Sequence, residues 1–324
     1  MDIRINHRYM TREQKNSLVE AMLRLKNDTP SVLRPGQQNR YDDFVQVHKN
    51  AMGGPDSFMP MPHRSPLFFP WHRVFLRQFE RALQATANDI SITLPFWDWT
   101  LNGPNDPFTP TFLGGNGDSA QDNRVVSGSF ASQTGNFDIK IWDLGIGDPG
   151  LRRDFGNEAG AHLPDNDQVS AALSKTPYTG GPDSWLNFCE GVLHDPVHRW
   201  VGGNMSFPSS PNDPVFFLHH CYMDLLWERW KRQHPTSPPY LPQSGVPGVD
   251  LEATLVFHAS DKTAPWEQTW TVANVLSTEA LDYTYGVFVP PTPTCLPAPP
   301  ACTPPSPSAT QGPVVDVVAD DVTI

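Results

Sequence analysis

The stretch NDPVFFLHHCYMDLLWERW, residues 212–230, decides how this chain is read. Asp213 followed by Pro214 is a helix start, a capping side chain and then a residue whose fixed φ and missing N–H suit the first turn. The apolar pattern then runs to about Trp230, and His219 and His220 stand in its middle among Phe216, Phe217, Leu218 and Trp227. An unpaired imidazole in such surroundings is costly, so both rings need partners. Neighbouring side chains on a helix diverge by about 100 degrees, so the two cannot face one ion together. The pattern assigns His220 as a metal ligand and His219 as a supporting neighbour, with a hydrogen-bonded core histidine as the alternative for His219. Asp224, four residues after His220 and on its face, is the candidate acceptor for the other ring N–H of His220.

Working outward, seven of the eleven histidines fall in two groups, three between His48 and His72 and four between His194 and His220. His194 and His198 are four apart, one helical turn on one face. Pro196 lies between them, which places a helix start near Asp195. The intervening residues do not form the HExxH pattern of zinc hydrolases. His48 and His72 sit on the apolar faces of two further helices, and His63 lies in the loop Met61-Pro62-His63-Arg64-Ser65-Pro66. Singly each reads as a core or loop histidine. Two triplets without carboxylates at ligand spacing describe two neighbouring three-imidazole sites, and imidazole favours a transition metal such as copper, zinc, iron or nickel.

The rest of the chain frames these groups. Thr11 with Gln14 forms a capping box for a helix ending near Asn27, a second helix covers Tyr41 to His48, and a third starts at Pro70. Periodicity fades from Asn102 to about Gly181, except for short apolar runs such as Phe137 to Trp142 that read as small strands, and returns over Trp185 to Trp200. Residues 236 to 286 read as peripheral strands and turns. The fold class expected is mainly α, a helical body with long loops and a few small peripheral strands. Ten of the 35 prolines lie between Pro290 and Pro313, so residues 290–313 read as an extended linker after a catalytic domain of residues 1–289. Residues 314–324 form a short tail, either a partial lid or the first strand of something further.

Composition removes other classes. A net charge of -12 with 18% charged residues gives no basic footprint for nucleic acid. No apolar run reaches the length of a membrane span or a signal peptide, so a cytoplasmic location is expected, with export alongside a partner as the alternative. Four cysteines are too few for a disulfide framework; Cys189 and Cys221 sit in apolar helical patterns and Cys295 and Cys302 share a loop.

The strings HRSPLFFPWHRVFLRQFE (63–80), LPFWDWT (94–100), HDPVHRWVGGNM (194–205) and residues 212–230 resemble the tyrosinases, binuclear copper polyphenol oxidases, and most closely the short bacterial ones. The likeness spans Arg4 to Tyr285, ending on a Tyr283-Thr284-Tyr285 motif similar to the one that closes the family's catalytic domain. It implies a central four-helix bundle holding two copper ions, one on His48, His63 and His72, the other on His194, His198 and His220. It also implies O2 as co-substrate, hydroxylation of monophenols and oxidation of o-diphenols to o-quinones, the chemistry that leads to melanin. Its alternatives are a catechol or o-aminophenol oxidase without hydroxylase activity and a hemocyanin-like oxygen carrier. A small phenol is the expected partner, with a copper-delivery or caddie-like protein possible in kind and the oligomeric state open.

Departures from the family pattern single out further residues. Many tyrosinases carry Asn after the first histidine of the second site, paired with an upstream Glu around a water that takes the phenol proton. This chain has Asp195, and Glu190, only four residues before His194, is the nearest candidate Glu. Asp195 either accepts a proton, orients His194 or caps a helix. Met61 stands where fungal relatives carry Cys, so no thioether to histidine is expected. Arg199 and Phe207 resemble the family's substrate-entrance residues, with Phe207 able to stack on a phenol; ordinary loop packing is the alternative for both.

Overall fold

A computed structural model describes residues 1–54, 56–101, 107–142, 150–259, 265–266 and 268–286. The capping box predicted for the first helix is formed: Gln14 N–H donates to Thr11 Oγ1 at 3.2 Å, Thr11 N–H donates to Gln14 Oε1 at 2.8 Å, and α1 runs Arg12–Asn27. Helix α2 (Arg40–Ala51) follows, capped by Asn39, and α3 (Phe68–Ala87) begins two residues before the predicted Pro70. Proline is tolerated there because no N–H in the first turn has an intrahelical acceptor. A short α4 (Asn166–Leu173) lies inside the region read as loops; its own capping box, Asp165 with Gln168, was the overlooked signal.

The predicted helix over 185–200 is continuous but not uniform. It comprises α5 (Trp185–Phe188), a π-helical turn (Cys189–His194) and α6 (Asp195–Val201). The wide turn precedes Pro196, whose ring has no N–H to donate and would crowd the carbonyl four residues earlier in a regular helix. Helix α7 (Val215–Gln233) completes the set, with Val215 N–H on Asp213 Oδ1 at 3.0 Å.

Aromatic edges lock α2, α3 and α7 together. Tyr41 meets Phe79 and Phe217, Phe44 meets Phe75 and Phe79, and Phe79 stacks on Phe217. The α6 segment joins through His198, which meets Phe216 and His220 of α7. The result is the mainly helical bundle expected, with two small sheets: β1 (Asp2–Arg4) parallel to β4 (Tyr283–Tyr285), and β2 (Gly117–Asp118) antiparallel to β3 (Arg124–Val125). Phe137 to Trp142 is not a strand. Phe137, Ile139 and Ile141 are buried while Asp138 and Lys140 are exposed, but the segment has no ladder; Ile141 C=O accepts instead from Asn212 Nδ2 at 2.9 Å. Alternation reports which side faces the core, not whether a neighbouring strand exists. Residues 236–286 likewise hold only β4 and one isolated bridge, Thr254 to Thr271, among the described residues.

Residues up to Gly286 fold as one unit, and the linker, the tail, Cys295 and Cys302 lie outside the described residues. Cys189 and Cys221 are buried free thiols. No helix among the described residues is long and apolar enough to cross a membrane.

The two ends of this unit meet over a buried ionic core. Arg4 pairs with Glu80 through two bonds of 3.1 and 3.0 Å, and Arg77 joins Glu80 to Asp2. Asp224 accepts from Tyr283 at 2.5 Å, Tyr285 at 2.7 Å and Arg73 Nε at 2.7 Å. Burial alone would raise the Asp224 pKa, but Arg73, Arg4 and the two phenols outweigh it and hold the carboxyl below its usual range. Removing that carboxylate would leave the Nε–H of buried Arg73 and two buried hydroxyls without their acceptor. Asp224→Ala is therefore expected to cost about 3–5 kcal/mol of folding stability, measured by urea unfolding; a loss under 1 kcal/mol would mean that the network has no such weight.

Candidate metal centre

The seven clustered histidines are brought into two groups by six segments. His48 ends α2, His72 lies in the first half of α3 and His63 sits in the loop between them; His194 closes the π-helical turn, His198 lies on α6 and His220 on α7. One ring nitrogen from each of His48, His63 and His72 lies within 4.8 Å of the others, and the same holds for His194, His198, His219 and His220. The two groups are adjacent: the rings of His72 and His220 stack at 4.4 Å, and His63 and His194 are 6.4 Å apart.

Each ring is aimed by what its other nitrogen does. Nδ1 of His48 lies 2.8 Å from Pro208 C=O, that of His72 2.7 Å from Phe68 C=O, that of His198 2.7 Å from Met205 C=O, and that of His194 2.8 Å from Asp195 Oδ1. Carbonyls and carboxylates only accept, so Nδ1 must carry the proton in all four, leaving a lone pair on Nε2. Nε2 of His48, His72 and His194 is buried without any hydrogen-bond partner. Nε2 of His198 faces Nε2 of His220 at 3.3 Å. Buried lone pairs converging on one another are costly unless a cation lies between them.

His219 belongs to the second group by position but not by chemistry. Trp99 Nε1–H donates to its Nδ1 at 3.1 Å, which puts the ring proton on Nε2 and leaves no free lone pair. Its ring instead stacks against His194 at 5.4 Å, the supporting place predicted for it. Asp224 does not do what its helical spacing suggested. Both its oxygens are taken by Arg73, Tyr283 and Tyr285, and His220 Nδ1 has no hydrogen-bond partner. A face shared on one helix does not decide which neighbour a long-range cation and two phenols will claim.

The carboxylates near His194 form a second layer around Arg64. Arg64 N–H donates to both oxygens of buried Glu190, at 2.9 and 3.1 Å, and its guanidinium pairs with Asp195 Oδ2. Burial raises the Glu190 pKa. Burial also pushes Asp195 upward, but the bond from His194 and the charge of Arg64 outweigh it and hold the carboxyl well below its usual range. Asp195 thus orients His194, the second of the three roles open to it. The loop that supplies Met205 C=O and Pro208 C=O to the two clusters also presents Phe207, which is 39% exposed. Arg199 follows His198 on α6, its Nε buried without a partner. The acceptor carbonyls of this loop and Arg64 were not foreseen, since backbone carbonyls carry no sequence signal.

Burial, then the neighbouring imidazoles, pulls His63, His72, His198 and His220 well below their usual pKa. For His48 burial brings it from 6.5 down to about 4. All five are neutral at physiological pH, the form that binds a metal. Three imidazoles per group, with no carboxylate among the convergent nitrogens, suit a transition metal such as copper and not magnesium or calcium.

The matching family model is the common central domain of tyrosinase, over residues 38–233. The chain is similar to a tyrosinase of Streptomyces antibioticus, 41% identical over 301 residues, covering 89% of this chain and 100% of that protein. It is also similar to grixazone synthase of Streptomyces griseus, 35% identical, covering 87% of this chain and 98% of that protein. A polyphenol oxidase structure from Thermothelomyces thermophila shares its fold at a TM-score of 0.65 with 23% identity, covering 89% of each chain. A functional unit of octopus hemocyanin does so at 0.55 with 21% identity, covering 88% of this chain and 68% of that one.

In the metal-free chain, His48 takes up a proton near pH 6.5 when unfolded and only near pH 4 when folded. Between these values the unfolded state binds more protons, so stability falls as pH falls. From His48 alone the loss between pH 7 and pH 4 should be about 3 kcal/mol, read as a falling urea midpoint; a flat profile would contradict a buried neutral ring.

Proposed function

The chain belongs to the tyrosinase family of copper-dependent phenol oxidases, and on that premise we propose that it uses O2 to hydroxylate small monophenols and to oxidise o-diphenols to o-quinones. The observation that carries this reading is the pair of three-imidazole groups whose partnerless nitrogens converge. His48, His63 and His72 would hold one copper, and His194, His198 and His220 the other. The two ions supply, when bound, the electron exchange with O2 that imidazoles and carboxylates cannot perform.

The protein's own part is orientation and proton handling. Carbonyls of Pro208, Phe68 and Met205 and the carboxylate of Asp195 fix four rings before metal arrives, so little reorganisation is needed. Phe207, exposed beside two of those carbonyls, offers a face for an aromatic substrate, and Arg199 a positive charge next to His198. Glu190, buried and raised in pKa, is suited to take the phenolic proton, whereas Asp195 is held well below its usual range by its engagement with His194 and Arg64. That engagement favours a second reading, an oxidase of o-diphenols or o-aminophenols with weak hydroxylase activity.

Copper-loaded protein offered a monophenol and an o-diphenol separately distinguishes these readings. Quinone from both, at two coppers per chain, is the expected result; quinone from the diphenol only leaves the oxidase, and none from either defeats both. Asp195→Asn keeps an oxygen for His194 but replaces Oδ2 with an N–H donor able to hold a water near Glu190. The ratio of monophenol to diphenol turnover is expected to rise several-fold, and an unchanged ratio removes Asp195 from control of hydroxylation.

A further inference from the structure

Arg64 ties the loop of the first group to the carboxylates beside the second through its backbone N–H and its guanidinium. It directly follows His63 of the first group, and its backbone has φ of 56°, a left-handed conformation that few side chains adopt without a reason. In that conformation its N–H points at both oxygens of Glu190, a carboxylate only 1% exposed. Its Cα is thereby fixed beside the π-helical turn that ends at His194, and its guanidinium reaches Asp195 Oδ2.

Asp195 Oδ1 is the acceptor of His194 Nδ1–H. A carboxylate held through one oxygen can rotate and exchange that bond with water, whereas one held through both has its plane set. The other three fixed rings rest on backbone carbonyls, which cannot rotate in this way. His194 is therefore the ring among these four whose aim depends on a side chain, and that side chain is anchored by Arg64. We propose that Arg64 is a positioning residue for the second copper: it keeps Asp195 on His194 and so keeps Nε2 of His194 directed at the metal.

This inference rests on the assignment of His194 as a copper ligand. The guanidinium is 63% exposed and Asp195 20%, so the pair is screened by solvent and contributes little to folding. Removing it should leave a folded protein with a looser metal site. Arg64→Asn is the suitable variant, because Asn tolerates the left-handed backbone and so preserves the Glu190 contact.

The experiment loads wild type and variants with copper and follows its release to a strong chelator, independently of turnover. Loss of a direct partner of a metal-bound histidine typically costs 10–100-fold in metal affinity, and one step further out the effect should be smaller. Arg64→Asn is expected to release the more labile copper about three- to tenfold faster than wild type, and Arg64→Lys to restore most of the retention. In an Asp195→Asn background, where there is no carboxylate to anchor, Arg64→Asn should add less than about twofold. Release at the wild-type rate from Arg64→Asn would overturn the proposal. So would equal acceleration in both backgrounds, which would mean general loosening of the loop. A wild type that binds no copper at all would instead overturn the underlying ligand assignment.

Discussion

An imidazole ring has two nitrogens, and committing one of them decides what the other can do. That constraint runs through this structure. Four rings are turned inward because their Nδ1–H groups are given to Pro208, Phe68, Met205 and Asp195. His219 is set apart from them by the same logic, because Trp99 donates to its Nδ1 and so fixes the opposite tautomer. The helices must then deliver acceptors as well as ligands. The loop carrying Met205 and Pro208 serves both groups, so a displacement of that one loop would misaim His198 and His48 together.

Holding partnerless nitrogens together in a dry interior is unfavourable before metal binds, and the surroundings make it sustainable. Aromatic side chains of α3 and α7 fill the space around the rings and keep them from collapsing onto other partners. Behind this layer the charges are paired in chains. Arg73, Asp224 and Glu228 link α3 to α7, while Arg4, Glu80, Arg77 and Asp2 tie the first strand to α3. Tyr283 and Tyr285 close the ring on Asp224, so the far end of the folded unit is fastened to the helix that carries His220.

The longer helices and the clustering of the histidines were legible because the signals for both are local. Capping boxes, the 3.6-residue apolar period and four-residue histidine spacing all act within one or two turns, and α1, α2, α3 and α7 appear close to where these signals place them. The short α4 was signalled by Asp165 and Gln168 but hidden by its polar setting. Asp224 shows the opposite failure: its spacing from His220 was real, yet a buried arginine and two tyrosines from distant segments outcompeted the ring. The alternating run from Phe137 to Trp142 showed its inward face correctly and lacked only a neighbour to pair with.

By itself, then, the sequence determined where α1, α2, α3 and α7 form and which histidines can cluster, because residue type and spacing set the period, the caps and the donor chemistry. Only the tertiary structure decided which nitrogen of each ring is free, that His219 Nδ1 is taken by Trp99, and that Asp195 is shared between His194 and Arg64. These depend on where individual acceptors, carbonyls above all, lie in space. Every residue carries the same carbonyl, so its partner cannot be read until the chain has folded.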